Sequence, residues 1–232
     1  NRTSMWTITN TAEYKFNIGN NHAITLLVGQ EGIKGQGKGF SAMGSGITDD
    51  RLSNLGSVTD YSKPGYSSYK YEYLSFFGRA DYALMNKYFF NFTIRNDKSS
   101  RFGKHNRAAD FLSGGVMWRL SDEAFMANAK SWLTDMSIKA SIGTAGNSEI
   151  GNYSSLGLIT TTQYNGNSGW VLAQPSNDKL GWEKQIQCNI GINARLFDRV
   201  DIDFNVYKRK TKDMLMSVPL AYTTGFSSQM MN

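Results

Sequence analysis

Eight stretches of this sequence alternate apolar with polar residues, and the connections between the stretches alternate short with long. The clearest stretch covers residues 200–207, where the apolar side chains are Val200, Ile202, Phe204 and Val206. Because successive side chains of a strand point to opposite faces, these four share one face and the polar residues share the other. An apolar face of this kind meets a protein core in a soluble sheet, or lipid in an outer-membrane barrel. The rhythm of the connections favours the barrel.

The alternating stretches predict eight strands. The predicted strands are residues 4–16, 22–30, 69–84, 90–97, 109–120, 133–144, 180–196 and 200–214. The short connections are then 17–21, 85–87, 121–132 and 197–199, and the long ones are 31–68, 98–107, 146–179 and 215 onward. Within 121–132 we predict a helical turn capped by Ser121. Short periplasmic turns and longer extracellular loops are typical of an up-and-down barrel, so we expect an all-β, antiparallel fold in which about eight strands form an arc of a large transmembrane barrel.

Charged and amide residues fall on the non-apolar side of the predicted strands. A Lys or Arg facing lipid at the bilayer midplane costs about 2–4 kcal/mol, and an inward orientation removes this cost from every strand at once. Shifting the register of a strand by one residue would expose the whole set to lipid. We therefore predict that these residues line a wet lumen: Arg79, Asp81, Asn91, Arg95, Asp97, Asp201, Asp203 and Asn205. Tryptophans near strand ends predict an interfacial girdle, formed by Trp6, Trp118, Trp132 and Trp182.

Composition argues against several other classes of function. The net charge is +6, but the basic residues are dispersed apart from a group at residues 208–212, which lacks the interleaved aromatics of a nucleic-acid groove. One cysteine, Cys188, and two histidines give no metal-ligand spacing. Residues 32–38 nearly match a phosphate-binding loop, but Gly39 stands where Ser or Thr is needed. We therefore expect no enzymatic activity, no cofactor, no metal and no nucleic-acid partner.

Specific sequence motifs resemble a known family. Residues 75–88, SFFGRADYALMNKY, resemble the family hairpin that begins SYFGRLNY and continues to KYLL. Six further matches are 95–103 (RNDKSSRFG), 118–123 (WRLSDE), 132–147 (WLTDMSIKASIGTAGN), 180–184 (LGWEK), 189–192 (NIGI) and 207–215 (YKRKTKDML). Asn96, Lys98 and Asp81 depart mildly from the family pattern. These motifs are similar to those of the SusC/RagA family of TonB-linked outer-membrane transporters from Bacteroidetes, and they cover essentially the whole chain.

The resemblance implies a large plugged barrel in the cell outer membrane that imports glycans, oligosaccharides or peptides. It also implies a SusD-like surface lipoprotein as a lid, and energy supplied by the TonB system through an N-terminal region. The chain starts on polar residues without a signal peptide and ends in a loop pattern at Asn232. We therefore expect residues 1–232 to be part of the barrel domain, without the plug, the TonB box and the C-terminal strands.

Six aromatic residues in the predicted extracellular loops are candidates for contact with a ligand or the lid, with local loop packing as the alternative: Phe40, Tyr61, Tyr66, Tyr153, Tyr164 and Trp170. Two other functions stay open on the sequence alone. One is a soluble extracellular β-sheet binding module, and the other is a passive porin-like channel. The substrate and the partner lipoprotein are not given by the sequence.

Overall fold

A computed structural model describes residues 1–52 and 54–232, and most of them are in β-strands. The strands, in chain order, are β1 (Arg2–Ile18), β2 (His22–Ser41), β3 (Gly44–Ser45), β4 (Asp60–Tyr61), β5 (Gly65–Leu84), β6 (Tyr88–Ser99), β7 (Ala108–Arg119), β8 (Leu133–Asn147), β9 (Leu158–Tyr164), β10 (Asn167–Gln174), β11 (Glu183–Leu196), β12 (Val200–Lys212), β13 (Met216–Pro219) and β14 (Ser228–Met231). Short 3-10 turns lie at Leu55–Ser57, Leu120–Asp122, Ala124–Ala129 and Tyr222–Thr224.

Eight of these strands form a single antiparallel sheet in the order β1-β2-β5-β6-β7-β8-β11-β12. Each strand of this sheet pairs with the next one along the chain, and the remaining strands form three two-stranded hairpins in the long connections. Neighbours in sequence are therefore neighbours in space, as in an up-and-down barrel wall. The predicted eight-strand antiparallel arc is confirmed, and β1 and β12 are its two edges.

The register places apolar and polar residues in separate rows that cross all eight strands. One row contains Phe16, Ile24, Tyr82, Phe90, Val116, Ala140, Ile190 and Val206. The row one residue away contains Lys15, Thr25, Asp81, Asn91, Gly115, Ser141, Asn189 and Tyr207. Adjacent rows point to opposite faces of a sheet. We call these two surfaces the apolar face and the polar face.

The strands β2 and β5 extend further than the sequence pattern predicts. Each has 20 residues, so the predicted connection of residues 31–68 is wrong and shortens to 42–64. The sequence pattern placed the glycines of residues 32–39 in a loop. In the structure Gly35 and Gly37 lie beneath the rings of Tyr71 and Tyr69, where a Cβ would overlap the ring. Glycine in a strand often marks such a close approach.

The buried core lies at the end of the sheet where the long connections are. Its members are Phe102, Ala109, Phe111, Ile150, Leu180 and Trp182, with Tyr73, Leu215 and Met230 packed against it. Tyr73 and Phe111 belong to the polar rows of β5 and β7. The connections therefore fold over the polar face of the sheet, and the apolar face is left uncovered.

Candidate functional site

Ion pairs join most of the charged residues on the polar face. Arg79 pairs with Asp81 of the same strand at 2.8 Å. Arg95 lies 2.7 Å from Asp97 and 3.2 Å from Glu31 of β2, so one guanidinium joins two strands across β5. Because these groups face one another, the polar face carries charge of both signs without leaving these side chains unpaired.

Ion pairs of the same kind join polar-face residues near the β12 edge of the sheet. Asp201 pairs with Arg195 at 2.7 Å, and Asp203 pairs with Lys139 at 3.4 Å. The amide of Asn205 donates to Asp203. All of the predicted lumen residues on β12 thus lie on the polar face and contact one another or a neighbouring strand.

Three partners of these ion pairs were not among the residues predicted from the sequence: Glu31, Lys139 and Arg195. Glu31 fell in a predicted connection, because the strand was expected to end at Gln30. Lys139 and Arg195 have the polar-face parity of their strands. The alternation of apolar and polar residues gives this parity, so assigning every charged residue of every strand to a face would have identified both.

A shallow groove of about 680 Å³ runs along the polar face at mid-sheet. Arg79, Asp81, Asn91, Lys139 and Ser141 are among the residues that line it. Small residues on the neighbouring strands keep this part of the face low, because a side chain at Gly115 would meet the Asn91 amide. The groove brings predicted lumen residues from β5, β6 and β12 to one surface.

Two of the family-like motifs meet in the core above this groove. The rings of Phe102 and Trp182 have centroids 4.8 Å apart, and Phe102 and Leu180 have no exposed area. The Gly103 N–H donates to the Leu180 carbonyl at 2.9 Å, and the Trp182 indole N–H donates to the Arg107 carbonyl at 3.0 Å. Trp182 is therefore a buried core residue, and its predicted place in an interfacial girdle is wrong.

Arg101 anchors this core to β5. Its guanidinium lies 4.5 Å from the centroid of the Tyr71 ring and 5.7 Å from that of Tyr73. Its Nε donates to the Asn152 side chain at 2.9 Å, which ties in the connection before β9. The residues of the motif at 101–103 thus hold three connections together over the polar face.

The predicted loop aromatics lie in three different settings. Tyr61, Tyr164 and Trp170 are highly exposed and lie in the long connections, the last two on the β9–β10 hairpin. Phe40 and Tyr66 do not lie in a loop, because they face each other at the ends of β2 and β5. Tyr153 is partly buried, and its hydroxyl accepts from the Lys70 N–H at 2.8 Å, so it latches its connection to β5.

A second cluster lies at the short-turn end of the sheet. The Glu123 carboxylate accepts from the Tyr88 hydroxyl at 2.6 Å and the Trp118 indole N–H at 3.1 Å, and Lys87 lies 3.4 Å away. The hydrogen bond from Tyr88, followed by that from Trp118, lowers the pKa of Glu123. Ser121 does not cap the turn as predicted, because its hydroxyl donates to Asp135 at 2.9 Å.

Within residues 1–52 and 54–232, no helix has the length and apolar character needed to cross a membrane. The same residues contain no cluster of three or more His, Cys, Asp or Glu side chains with the geometry to hold a metal ion.

An antiparallel sheet with sequential pairing, one apolar and one polar face, and loops gathered at one end defines the wall of an outer-membrane barrel. The family model for the TonB dependent receptor-like β-barrel matches residues 1–231. The chain belongs to this family, whose members reside in the cell outer membrane.

Individual relatives agree with the family and with the SusC/RagA resemblance. The chain is 35% identical over 99% of its length to TonB-dependent receptor P26 of Formosa agariphila, and 34% identical over 68% of its length to TonB-dependent receptor SusC of Bacteroides thetaiotaomicron. It covers 24% and 16% of those two proteins. The resemblance to SusC/RagA transporters is confirmed.

Solved structures show the same fold. The RagAB peptide importer in its 'closed-closed' state is 39% identical to the chain with a TM-score of 0.92, over 99% of this chain and 26% of that one. The siderophore receptor PirA from Acinetobacter baumannii shares the fold at 15% identity and a TM-score of 0.62, over 99% of this chain and 32% of that one. The chain therefore spans about a quarter of the length of receptor P26 and of the RagAB chain.

Proposed function

We propose that the chain forms one sector of the barrel wall of a TonB-dependent importer for oligosaccharides or peptides. The observation that carries this proposal is the pair of adjacent rows, one apolar and one polar, that cross all eight strands. The apolar face meets lipid, and the polar face with its ion pairs lines the lumen. Its lumen residues are the eight predicted from the sequence, together with Glu31, Lys139 and Arg195.

The open edges of the sheet support the assignment to a larger barrel. The β1 and β12 edges leave backbone N–H and C=O groups to be satisfied, and lipid cannot satisfy them. Further strands on both sides close such a barrel in the full-length receptor. We propose that residues 1–232 belong to the barrel domain only, and that the plug and the TonB box belong to the rest of the receptor.

The long-connection end is the proposed extracellular end, and it offers the surface for a lid protein and for substrate. The β9–β10 hairpin contains no charged residue and exposes Ile159, Tyr164, Trp170 and Leu172. Exposed aromatic rings suit stacking on sugar rings or packing on a protein surface. We propose a SusD-like lipoprotein as the lid, in keeping with the likeness to RagAB, and a transport role without catalysis.

Uptake by cells that express the full-length receptor tests this function. Labelled oligosaccharides and peptides are offered to cells with the receptor, with a receptor deletion, and with the receptor in a strain that lacks TonB. We expect uptake of one substrate class that requires both the receptor and TonB. Uptake that persists without TonB would instead support a passive channel, and a receptor found in the soluble fraction would support a secreted binding module.

A further inference from the structure

Three lysines continue the apolar face of β12 toward the long-connection end. Lys208, Lys210 and Lys212 have the same parity as Val206, whereas Arg209 lies on the polar face. Alternate residues of a strand share a face, so the three ammonium groups form a ladder on the surface that is otherwise apolar. This basic group lacks the interleaved aromatics of a nucleic-acid groove, and its lysines lie on the face opposite the proposed lumen.

The register adds a fourth lysine to this ladder. Lys184 of β11 lies directly opposite Lys212, and all four lysines are exposed. In the described part of the chain, none of the four forms an ion pair with a carboxylate within 4.0 Å, since every such pair involves other residues. Like charges directly opposite each other destabilise a sheet unless an anion lies between them.

Two other lysines on the apolar face are paired with a carboxylate. Lys34 of β2 and Lys70 of β5 both contact Glu72, at 3.5 Å and 3.0 Å. Their charge is thus offset within the protein. Lys38 of β2 and Lys98 of β6 form no ion pair among the described residues, but neither lies opposite another lysine. The four lysines on β11 and β12, which we call the lysine ladder, carry positive charge that no carboxylate of the described residues offsets.

The position of the lysine ladder relative to the membrane indicates its partner. The strand β12 starts after a short turn, which places its first residues at the periplasmic side and Lys212 at the extracellular side. Lysine stems extend along apolar surface and bring the charge to the headgroup level of a bilayer. Clusters of four or more basic residues at that level attract anionic lipid headgroups.

We propose that the lysine ladder binds the phosphate groups of a phosphorylated lipid in the outer leaflet. The ammonium groups of Lys184, Lys208, Lys210 and Lys212 contact the phosphates, and the acyl chains lie on Val206 and Ile190 below. This site goes beyond transport, and it rests on two parts of the proposed function: the apolar face meets lipid, and the long-connection end is extracellular. It would hold even if the substrate class proposed above were wrong, because uptake and lipid binding are measured separately.

The test uses the purified full-length receptor in detergent, titrated with a phosphorylated glucosamine glycolipid and followed by native mass spectrometry. The variant K208Q/K210Q/K212Q is expected to bind this lipid at least about tenfold more weakly than the unchanged receptor. The dephosphorylated form of the same lipid is expected to bind both proteins equally weakly. Inorganic phosphate, titrated in parallel, is expected not to compete below millimolar concentration.

Two further variants keep the result interpretable. K63Q/K104Q/K179Q removes the same charge from exposed positions in the long connections and is expected to bind the lipid normally. K208R/K210R/K212R keeps the three positive charges and is expected to bind the lipid like the unchanged receptor. It therefore tests the role of the charge independently of how well the glutamine variant folds. Equal loss of affinity in both glutamine variants would overturn the proposal, as would unchanged affinity in K208Q/K210Q/K212Q. Phosphate competing as well as the lipid would also overturn it.

Discussion

The ring centroids of Phe102 and Trp182 lie 4.8 Å apart, and this contact joins two long connections of the sheet. The first connection follows β6 and the second precedes β11. Both residues belong to short motifs that match transporters of the SusC/RagA family. The motifs therefore fix the long connections over the polar face through a packed cap of side chains.

Trp182→Ala should loosen this cap. Truncating a buried Trp costs about 3–5 kcal/mol, because the cavity is only partly filled. We expect faster hydrogen exchange in residues 100–107 and 175–182 of the full-length receptor, with the strands unchanged. Trp170→Ala is the matched control, since Trp170 is 71% exposed and its loss should leave exchange in these segments unaltered. If Trp182→Ala exchanges like the control, the cap does not depend on this contact.

Alanine substitutions at two glycines of β2 should change the stability of the barrel in opposite directions. A Cβ at Gly35 would overlap the Tyr71 ring and push it off Arg101, whereas a Cβ at Gly32 has nothing within 4 Å. Replacing a strand glycine without a clash stabilises by about 0.5–1 kcal/mol. We expect Gly32→Ala to raise the urea midpoint of the folded barrel and Gly35→Ala to lower it. Two equal shifts would contradict the aromatic packing described for β2.

The stability of the cluster around Glu123 should decrease as the pH falls. Its folded pKa is lowered because Tyr88 and then Trp118 donate to the carboxylate. The stabilisation is therefore present above the unfolded pKa of about 4.3 and lost as the pH falls through the folded value. Hydroxyl-radical footprinting should show Tyr88 and Trp118 becoming more reactive in that acidic range.

Two variants separate this effect from general acid unfolding. Glu123→Gln removes the titrating group, so reactivity of Tyr88 and Trp118 should become nearly independent of pH between 6 and about 3. Glu149→Gln lies in a long connection and should retain the dependence of the unchanged receptor. A rise in reactivity that is the same in both variants would show that another group is responsible.

The sequence predicts the strand order and the two faces well, because both follow from the period of two in each strand. It predicts strand ends less well. Beyond Gln30 the glycines of β2 are indistinguishable from loop glycines until the tyrosines that cover them are seen on β5. The prediction for Trp182 was wrong for a related reason. A Trp at a strand end can lie in a lipid girdle or in a buried core, and only tertiary contacts distinguish the two positions.

The candidate site was predicted to a similar extent. Parity alone placed Arg79, Asp81, Arg95 and Asp97 on one face, and the structure adds the partner Glu31 across the strands. Which loop aromatics are free for a partner was not predictable. Tyr153 and Tyr164 both lie in the predicted loop rich in Asn, Ser, Thr and Gly. The Tyr153 hydroxyl nevertheless accepts from the Lys70 N–H of β5, whereas Tyr164 is 85% exposed.

The most direct test of the account is cysteine accessibility along β12 in the full-length receptor. In a Cys188→Ser background, single cysteines replace Ile202, Asp203, Phe204 and Asn205, and outer membranes are treated with a small charged thiol reagent. We expect positions 203 and 205 to react, because they face the aqueous lumen, and positions 202 and 204 to be protected by lipid. Equal labelling at all four positions, or the opposite alternation, would contradict it.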